Sequence, residues 1–296
     1  MIESIRISDG VTNKVTHLMK GDAKGSFVQS GFSKFDDYIG GLDPGSLVTI
    51  GGRTAMGKTA FAINLAKNVS SQGNPVLYIN LETTKEQFID KLLSCATGIE
   101  LRKIRLSTFL ENDWKNLEEE MGKLQELPIY VDNRATAKID ELCDDIAHSV
   151  NEKSIKLVII DYLQLLYTTV SAPSDNRYGD LNYYTRRLKS LAKELNVPII
   201  LLSQLNRNIE REGRGLSIEE YRPRFTDLRD SGTICDDSDM VLFLYRPEYY
   251  HFYEDEKGKD MRGKAELIVA KNRFGDTATF TLRCNLDTVS FIEYDS

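Results

Sequence analysis

From residue 47 onward, short apolar runs alternate with longer stretches of helical spacing. Residues 47–52, 76–81, 129–131, 157–160 and 199–203 are brief apolar and β-branched runs, which predict buried strands. Between them, 59–71, 85–97, 113–126, 138–152 and 180–196 repeat apolar positions every three or four residues, which predicts helices. Trp114, Leu117, Met121 and Leu124 form one such stripe, and Pro128 marks its exit. Strands separated by helices imply right-handed crossovers, hence an α/β fold with a mainly parallel sheet flanked by helices. After residue 240 the texture changes. Strands at 240–245, 266–271, 279–283 and 290–293 follow one another across short gaps, which predicts an antiparallel C-terminal edge. Residues 168–179 and 206–238 read as two long irregular stretches, and loops of that length in a compact domain are usually functional or disordered.

The first residues stand apart. Residues 1–28 read as an N-terminal linker segment with a short helix, and 29–296 as the main domain. Val11, Val15, Leu18 and Met19 make an apolar stripe, followed by a flexible Gly21-Asp-Ala-Lys-Gly25. Two readings stay open for it: a helix folded on its own domain, or a linker helix docked on a neighbouring subunit.

Composition narrows the class. The first six residues lack the apolar core of a signal peptide, and the greasiest run, 157–167, is interrupted by Asp161 and Gln164. Cys95, Cys143, Cys235 and Cys284 are scattered without C-x-x-C pairing, and only His17, His148 and His251 are available to join them. That argues against a zinc site or disulfide framework and suits the reducing cytoplasm. A net charge of −7 gives no global sign of a nucleic-acid binder, so any such contact falls to local basic loops.

The chemistry begins at Gly52, Arg53, Thr54, Ala55, Met56, Gly57, Lys58 and Thr59, which fit the phosphate-binding pattern G-x-x-x-x-G-K-[ST]. A strand feeds this loop and an amphipathic helix leaves it. Its glycines let backbone N–H groups wrap phosphates at the helix N-terminus. Lys58 reaches the β- and γ-phosphates of a nucleoside triphosphate, and the Thr59 hydroxyl ligates Mg²⁺. Asp161 closes the run Leu157-Val-Ile-Ile-Asp161, where open α/β sheets bind ligands, and is the second metal-side residue. Glu82 ends the strand after the loop helix and is placed to polarise a water in line with the γ-phosphate. The alternative for Glu82 is helix capping, although Thr83 and Thr84 both head capping-box patterns of their own. Gln204 ends the next strand; taken alone, it reads equally as a phosphate-sensing amide or a surface turn residue.

Gly31-Phe-Ser-Lys-Phe-Asp-Asp-Tyr-Ile-Gly-Gly-Leu-Asp-Pro-Gly-Ser-Leu47, leading into the loop, resembles the entry to RecA-type ATPase cores. Asp161-Tyr-Leu-Gln-Leu-Leu166, Arg187-Leu-Lys-Ser-Leu-Ala-Lys-Glu-Leu195, Ser203-Gln-Leu-Asn-Arg207, Asp227-Leu-Arg-Asp-Ser-Gly-Thr-Ile234 and Lys271-Asn-Arg-Phe-Gly275 narrow the resemblance to DnaB-type replicative helicases. It spans roughly residues 10–294 in order. The resemblance implies a homohexameric ring that hydrolyses ATP or another NTP with Mg²⁺ at subunit interfaces and threads single-stranded DNA through its centre. By the same resemblance Glu82 is the water-activating glutamate and Gln204 the phosphate sensor, while Lys271 and Arg273 enter the neighbour's site. Alternate residues of a strand share a face about 7 Å apart, which suits such a pair.

The segment holding Arg229, Asp230 and Gly232 resembles the family's central-channel DNA loop, where side chain and backbone N–H groups bind phosphates without reading sequence. Arg222 and Arg224, and Arg177 in the earlier loop, read either as additions to it or as solvated loop residues. Family chains also carry a helical N-terminal domain that this sequence does not include, which leaves primase and loader partnerships open. Cys235 and Phe274 depart from the family's usual residues. Two rivals share the nucleotide site: a RecA- or RadA-like recombinase, and a ring-forming ATPase that binds no DNA.

Overall fold

The computed structural model describes residues 27–168, 177–206, 217–228 and 231–294, together with Ile7, Val11, Val15, Thr16 and Met19. Along the chain, α1 (Ser33–Ile39) leads into β1 (Leu47–Gly52), α2 (Lys58–Ser71) and β2 (Val76–Asn80). Three helices follow, α3 (Lys85–Thr97), α4 (Leu101–Leu106) and α5 (Glu111–Glu126), before β3 (Ile129–Asn133). Next come β4 (Ala137–Lys138), α6 (Ile139–Lys153), β5 (Leu157–Asp161), β6 (Leu166–Tyr167), α7 (Arg177–Leu195) and β7 (Ile199–Gln204). The chain closes with α8 (Ser231–Asp237), β8 (Met240–Tyr245), β9 (Lys264–Asn272), β10 (Ala278–Asn285) and β11 (Ser290–Glu293).

The main sheet runs β11-β10-β9-β8-β1-β7-β5-β2-β3. From β8 to β3 every pairing is parallel, and from β8 to β11 every pairing is antiparallel, as the change of texture after residue 240 predicts. β1 lies at the centre and is buried along its whole length. The run Leu47-Val-Thr-Ile carries no outward polar alternation because helices cover both faces. One core packs α1 and α2 against Val48, Ile50, Tyr78 and Phe291; the other packs α6 and α7 against Leu47, Ile160 and Leu201. Phe61 ties the helix that leaves the phosphate loop into the first core. Its ring stacks on Phe32 at 5.3 Å and meets Phe291 edge-on at 5.6 Å. Burying such a side chain contributes about 1.5–3 kcal/mol.

Two expectations need correction. Helix α7 begins at Arg177, three residues before the expected start, with Gly179 inside its first turn, and the stretch 206–238 contains α8. Gly232 therefore belongs to a helix and not to an irregular loop. The helix expected at 113–126 forms, yet Trp114 and Met121 stay 54% and 55% exposed. α5 packs on α3 at the rim, where Leu117 and Leu124 are half-buried while Trp114 and Met121 stay exposed. Ile7, Val11, Val15 and Met19 are helical and exposed as well, while Leu18 of the N-terminal stripe lies outside the described residues.

Candidate functional site

Parallel strands deliver their last residues to one edge of the sheet, and the expected site residues gather there. Gly52 ends β1, Asp161 ends β5 and Gln204 ends β7, while Glu82 follows β2 by two residues. A cavity of about 440 Å³ opens at this edge, lined by Thr54, Ala55, Gly57, Lys58, Thr59, Glu82, Thr83, Lys91, Tyr162 and Gln204. A larger cleft beside α4 and the β10–β11 turn, about 680 Å³, contains none of the motif residues.

The loop's conformation follows from its glycines. Gly57 has φ +94°, and a Cβ there would stand 2.8 Å from Leu286 Cδ2 and 3.0 Å from Phe291 Cζ. Only glycine fits both constraints. Ala55 also takes a positive φ, +64°. The side chains of Arg53 and Met56 turn inward and are buried, so these two residues offer a ligand their backbone alone. Arg53 points instead to the Asn206 carbonyl at 3.4 Å.

Lys58 folds back over the loop and donates to the Gly52 and Arg53 carbonyls at 2.8 and 3.1 Å. Burial pulls its ammonium down to about 8, against the opposing pull of Asp161 and Glu82. The Asp161 carboxyl is pushed up by burial, while hydrogen bonds from the Thr59 hydroxyl and the Tyr78 phenol (2.9 Å) hold the anion. A buried carboxylate beside a threonine hydroxyl at the foot of a phosphate cradle is a donor set that fits Mg²⁺, which binds one or two carboxylates and keeps phosphate oxygens and waters. Thr59 and Asp161 are the residues that would hold it.

Glu82 is freed from capping. Thr84 caps α3, accepting from Gln87 N–H at 3.2 Å while Gln87 Oε1 accepts from Thr84 N–H at 3.1 Å. Asn80 clamps the turn before it, donating to the Thr83 carbonyl at 2.7 Å and accepting from the Thr83 hydroxyl at 3.0 Å. The Glu82 carboxylate faces the cavity, where partial burial and the nearby Asp161 charge raise its pKa. A carboxylate tuned upward is a better general base near neutral pH.

Gln204 settles on the side of the phosphate loop. Its Nε2 donates to the Thr54 hydroxyl at 2.5 Å, and its backbone N–H donates to Gln164 Oε1 at 3.3 Å. The residues just beyond it bond to the segment that precedes residues 229–230. Asn206 N–H donates to the Asp227 carbonyl at 2.7 Å, and Leu205 bridges Leu228.

Lys271 and Arg273 lie at the other end of the sheet. Arg273 N–H donates to the Asp239 carbonyl and Asp239 N–H to the Leu47 carbonyl, which puts the pair level with the start of β1. The phosphate loop leaves the far end of that strand, roughly 16 Å away at about 3.3 Å per residue. Both cations rest on the C-terminal carbonyls of α8, Lys271 on Cys235 and Arg273 on Asp236.

Among the proposed DNA contacts, Arg229 and Asp230 lie outside the described residues. Arg224 is exposed at the start of a short turn, where Asp227 accepts from its N–H. Arg222 does not fit its expected role. Its guanidinium pairs with the buried Glu266 through two hydrogen bonds, at 2.7 and 2.6 Å, and reaches Glu219 as well. Leaving would strand a buried carboxylate, so Arg222 is a structural pair. The pattern reading also missed Lys91, one face of α3 inside the cavity, whose charge favours the anionic forms of Asp161 and Glu82. No local motif marks it. A cation two turns into an amphipathic helix looks like a solvated face until the helix is docked.

The family model for the DnaB-like helicase C terminal domain matches residues 27–293. A probable replicative DNA helicase of Trieres chinensis is 36% identical over 269 residues, covering 90% of this chain and 57% of the relative. The replicative DNA helicase DnaC of Bacillus subtilis is 34% identical over 267 residues, covering 90% and 56%. The chain thus spans a little over half the length of these curated relatives. Among solved structures, the ATPase domain of G40P superposes with a TM-score of 0.88 at 30% identity, covering 99% of this chain and all of that one. A DnaB-like replicative helicase studied for its interactions with primase gives 0.84 at 30% identity, covering 99% of this chain and 68% of that one. With a RecA-like sheet, an intact phosphate loop and a family match over nearly its whole length, the chain belongs to the DnaB-like helicase C-terminal domain family.

Proposed function

We propose that this chain is the ATP-hydrolysing motor of a replicative DNA helicase, which assembles as a ring and moves on single-stranded DNA to open duplex. One observation carries the reading: Lys58, Thr59, Glu82 and Gln204 line a single cavity at the ends of the parallel strands, and the buried Asp161 bonds to Thr59 beneath it. The strand bearing Gln204 is bonded in turn to the segment that leads into the proposed DNA loop.

In this mechanism backbone N–H groups of the loop and the Lys58 ammonium bind the β- and γ-phosphates. Thr59 and Asp161 would hold Mg²⁺, which would supply charge neutralisation to the triphosphate. Glu82 accepts a proton from the attacking water. Gln204 exchanges its Thr54 hydroxyl for the γ-phosphate, and its movement is transmitted through Leu205 and Asn206 to residues 227–228. Lys271 and Arg273 lie too far from their own chain's phosphates and act in the neighbour's site. Arg224 joins Arg229 and backbone N–H groups around Gly232 as phosphate contacts, giving sequence-tolerant, salt-sensitive binding. Primase and loader proteins are the partner classes that accompany this role.

Unwinding of a forked duplex tests the proposal. The wild type separates the strands only with ATP and Mg²⁺. Glu82→Gln keeps ATP and single-stranded DNA binding while hydrolysis and unwinding fall at least ~100-fold, the scale of a lost general base. A wild-type chain that hydrolyses ATP, encircles DNA and yet never separates a fork would leave the motor reading without support.

A further inference from the structure

Arg273 comes to rest on one buried carboxylate. Asp239, immediately before β8, is 3% exposed. Its Oδ2 accepts from Leu47 N–H at 2.8 Å and from Lys189 Nζ at 2.6 Å. Its Oδ1 accepts from Arg273 Nη1 at 3.3 Å. The other terminal nitrogen of Arg273 donates to the Asp236 carbonyl at the end of α8, and its backbone N–H donates to the Asp239 carbonyl at 2.9 Å. The guanidinium is thus held by both prongs of its fork while the side chain remains 46% exposed.

The set of partners decides what Asp239 can do. A buried carboxylate with a single cation cannot release it cheaply. Here Lys189 and a backbone N–H already compensate the charge, so Asp239 does not depend on Arg273. Arg273, by contrast, depends on Asp239 for its direction. An unguided arginine samples many rotamers and loses that freedom on engagement; one already docked presents its remaining N–H donors from a fixed place.

We propose that Asp239 is a positioning residue for Arg273, aiming the guanidinium from the subunit surface into the neighbouring chain's triphosphate site, with Lys189 supplying the compensating charge. The proposal rests on the reading of Arg273 as a residue that acts in the neighbour. It concerns the reaction only through Arg273, because Asp239 lies far from its own chain's phosphates.

Asp239→Asn tests it, since the amide is isosteric and keeps an acceptor for Leu47. The expected result is a kcat lowered about 10- to 100-fold, the scale of a misplaced catalytic group. The KM for ATP stays within about twofold. Mixing separates guidance from damage. A Lys58→Ala chain has no working phosphate loop but carries a docked Arg273, so in mixed assemblies it restores hydrolysis at the intact loop of an Asp239→Asn chain. If Asp239 served only to brace β1, the defect would sit in the chain's own phosphate loop and mixing would restore nothing. Mixed assemblies are verified by native mass spectrometry. An unchanged kcat, or no restoration in verified mixtures, overturns the proposal.

Should Asp239→Asn fail to fold, Lys189→Met carries the same test from α7, where the half-buried Lys189 reaches Asp239. Among the described side-chain cations it leaves Arg273 alone on Asp239, so the carboxylate draws the docked guanidinium inward and off its aim; kcat falls and mixing restores it, whereas wild-type kcat overturns the proposal. Arg273→Ala separates the two layers of argument. If that variant hydrolyses ATP normally, the trans reading itself fails. If it is inactive and restored by Lys58→Ala chains while Asp239→Asn behaves as wild type, only the positioning role is lost.

Discussion

Raising the pH from 7 to 9 is expected to weaken ATP binding about tenfold, and the cause is Lys58. Its ammonium, buried beneath the phosphate loop, is held at about 8 in the free protein. A triphosphate seated against it restores the charged form, returning the group toward its ordinary value near 10.4. The free protein then carries a charged Lys58 in about 90% of molecules at pH 7 and about 10% at pH 9, while the complex stays charged throughout. Affinity scales with the charged fraction of the free form, so the ratio is about 10, or ~1.4 kcal/mol. The sign is that of proton uptake: binding takes up about 0.1 proton at pH 7 and about 0.9 at pH 9. Isothermal titration calorimetry in two buffers of different ionisation enthalpy measures both quantities. Lys58→Ala, titrated at higher protein concentration, binds far more weakly and loses the slope. A dissociation constant constant within twofold across this range, or a slope retained by Lys58→Ala, would refute the argument.

Two further outcomes follow from the same edge of the sheet. Gly57→Ala adds a methyl 2.8 Å from Leu286 Cδ2 at a φ of +94°, costing about 1–3 kcal/mol in backbone strain and about 1–3 in overpacking; an unchanged urea midpoint would show that the loop and the β10–β11 turn relax freely. Lys91→Met removes a cation that favours the charged forms of Glu82 and Asp161, so the acid limb of the kcat profile moves to higher pH, and an unmoved limb would place Lys91 outside the catalytic electrostatics.

Much of this was readable before any coordinates. The five parallel strands expected between residues 47 and 203 all form; four are buried on both faces and write themselves as continuous apolar runs, while β3 is a half-exposed edge strand. The phosphate loop and the acid closing β5 were legible for the same reason: a strand that ends at a ligand edge displays its last residue. What escaped depends on docking between distant segments. Lys91 becomes a site residue only when α3 lies against α2, and Tyr78, a mid-strand aromatic that reads as core, donates its hydroxyl to Asp161. Arg222 erred in the opposite direction, a basic residue in an apparent loop whose partner, Glu266, lies 44 positions away. The start of α7 was hidden by Gly179, a residue that local propensity places outside helices. The stripe on α5 was correct in period, and its exposure was not legible, since periodicity identifies an apolar face without naming what covers it.

The distance between the phosphate loop and Arg273 has a consequence for symmetry. If Arg273 acts in the neighbour's site as proposed, each chain receives at one end of its central strand and gives at the other, so it mates through two different surfaces and its contacts are head-to-tail. Such contacts have no natural dimer to stop at; they close into a cyclic array if the rotation between neighbours divides the circle, and wind into a helix if it does not. In an open chain of subunits the terminal site always lacks its partner's arginine, whereas a closed cycle has no terminal site. Specific activity then rises with protein concentration and levels off once the cycle is complete, so closure itself acts as the cofactor that dilution removes.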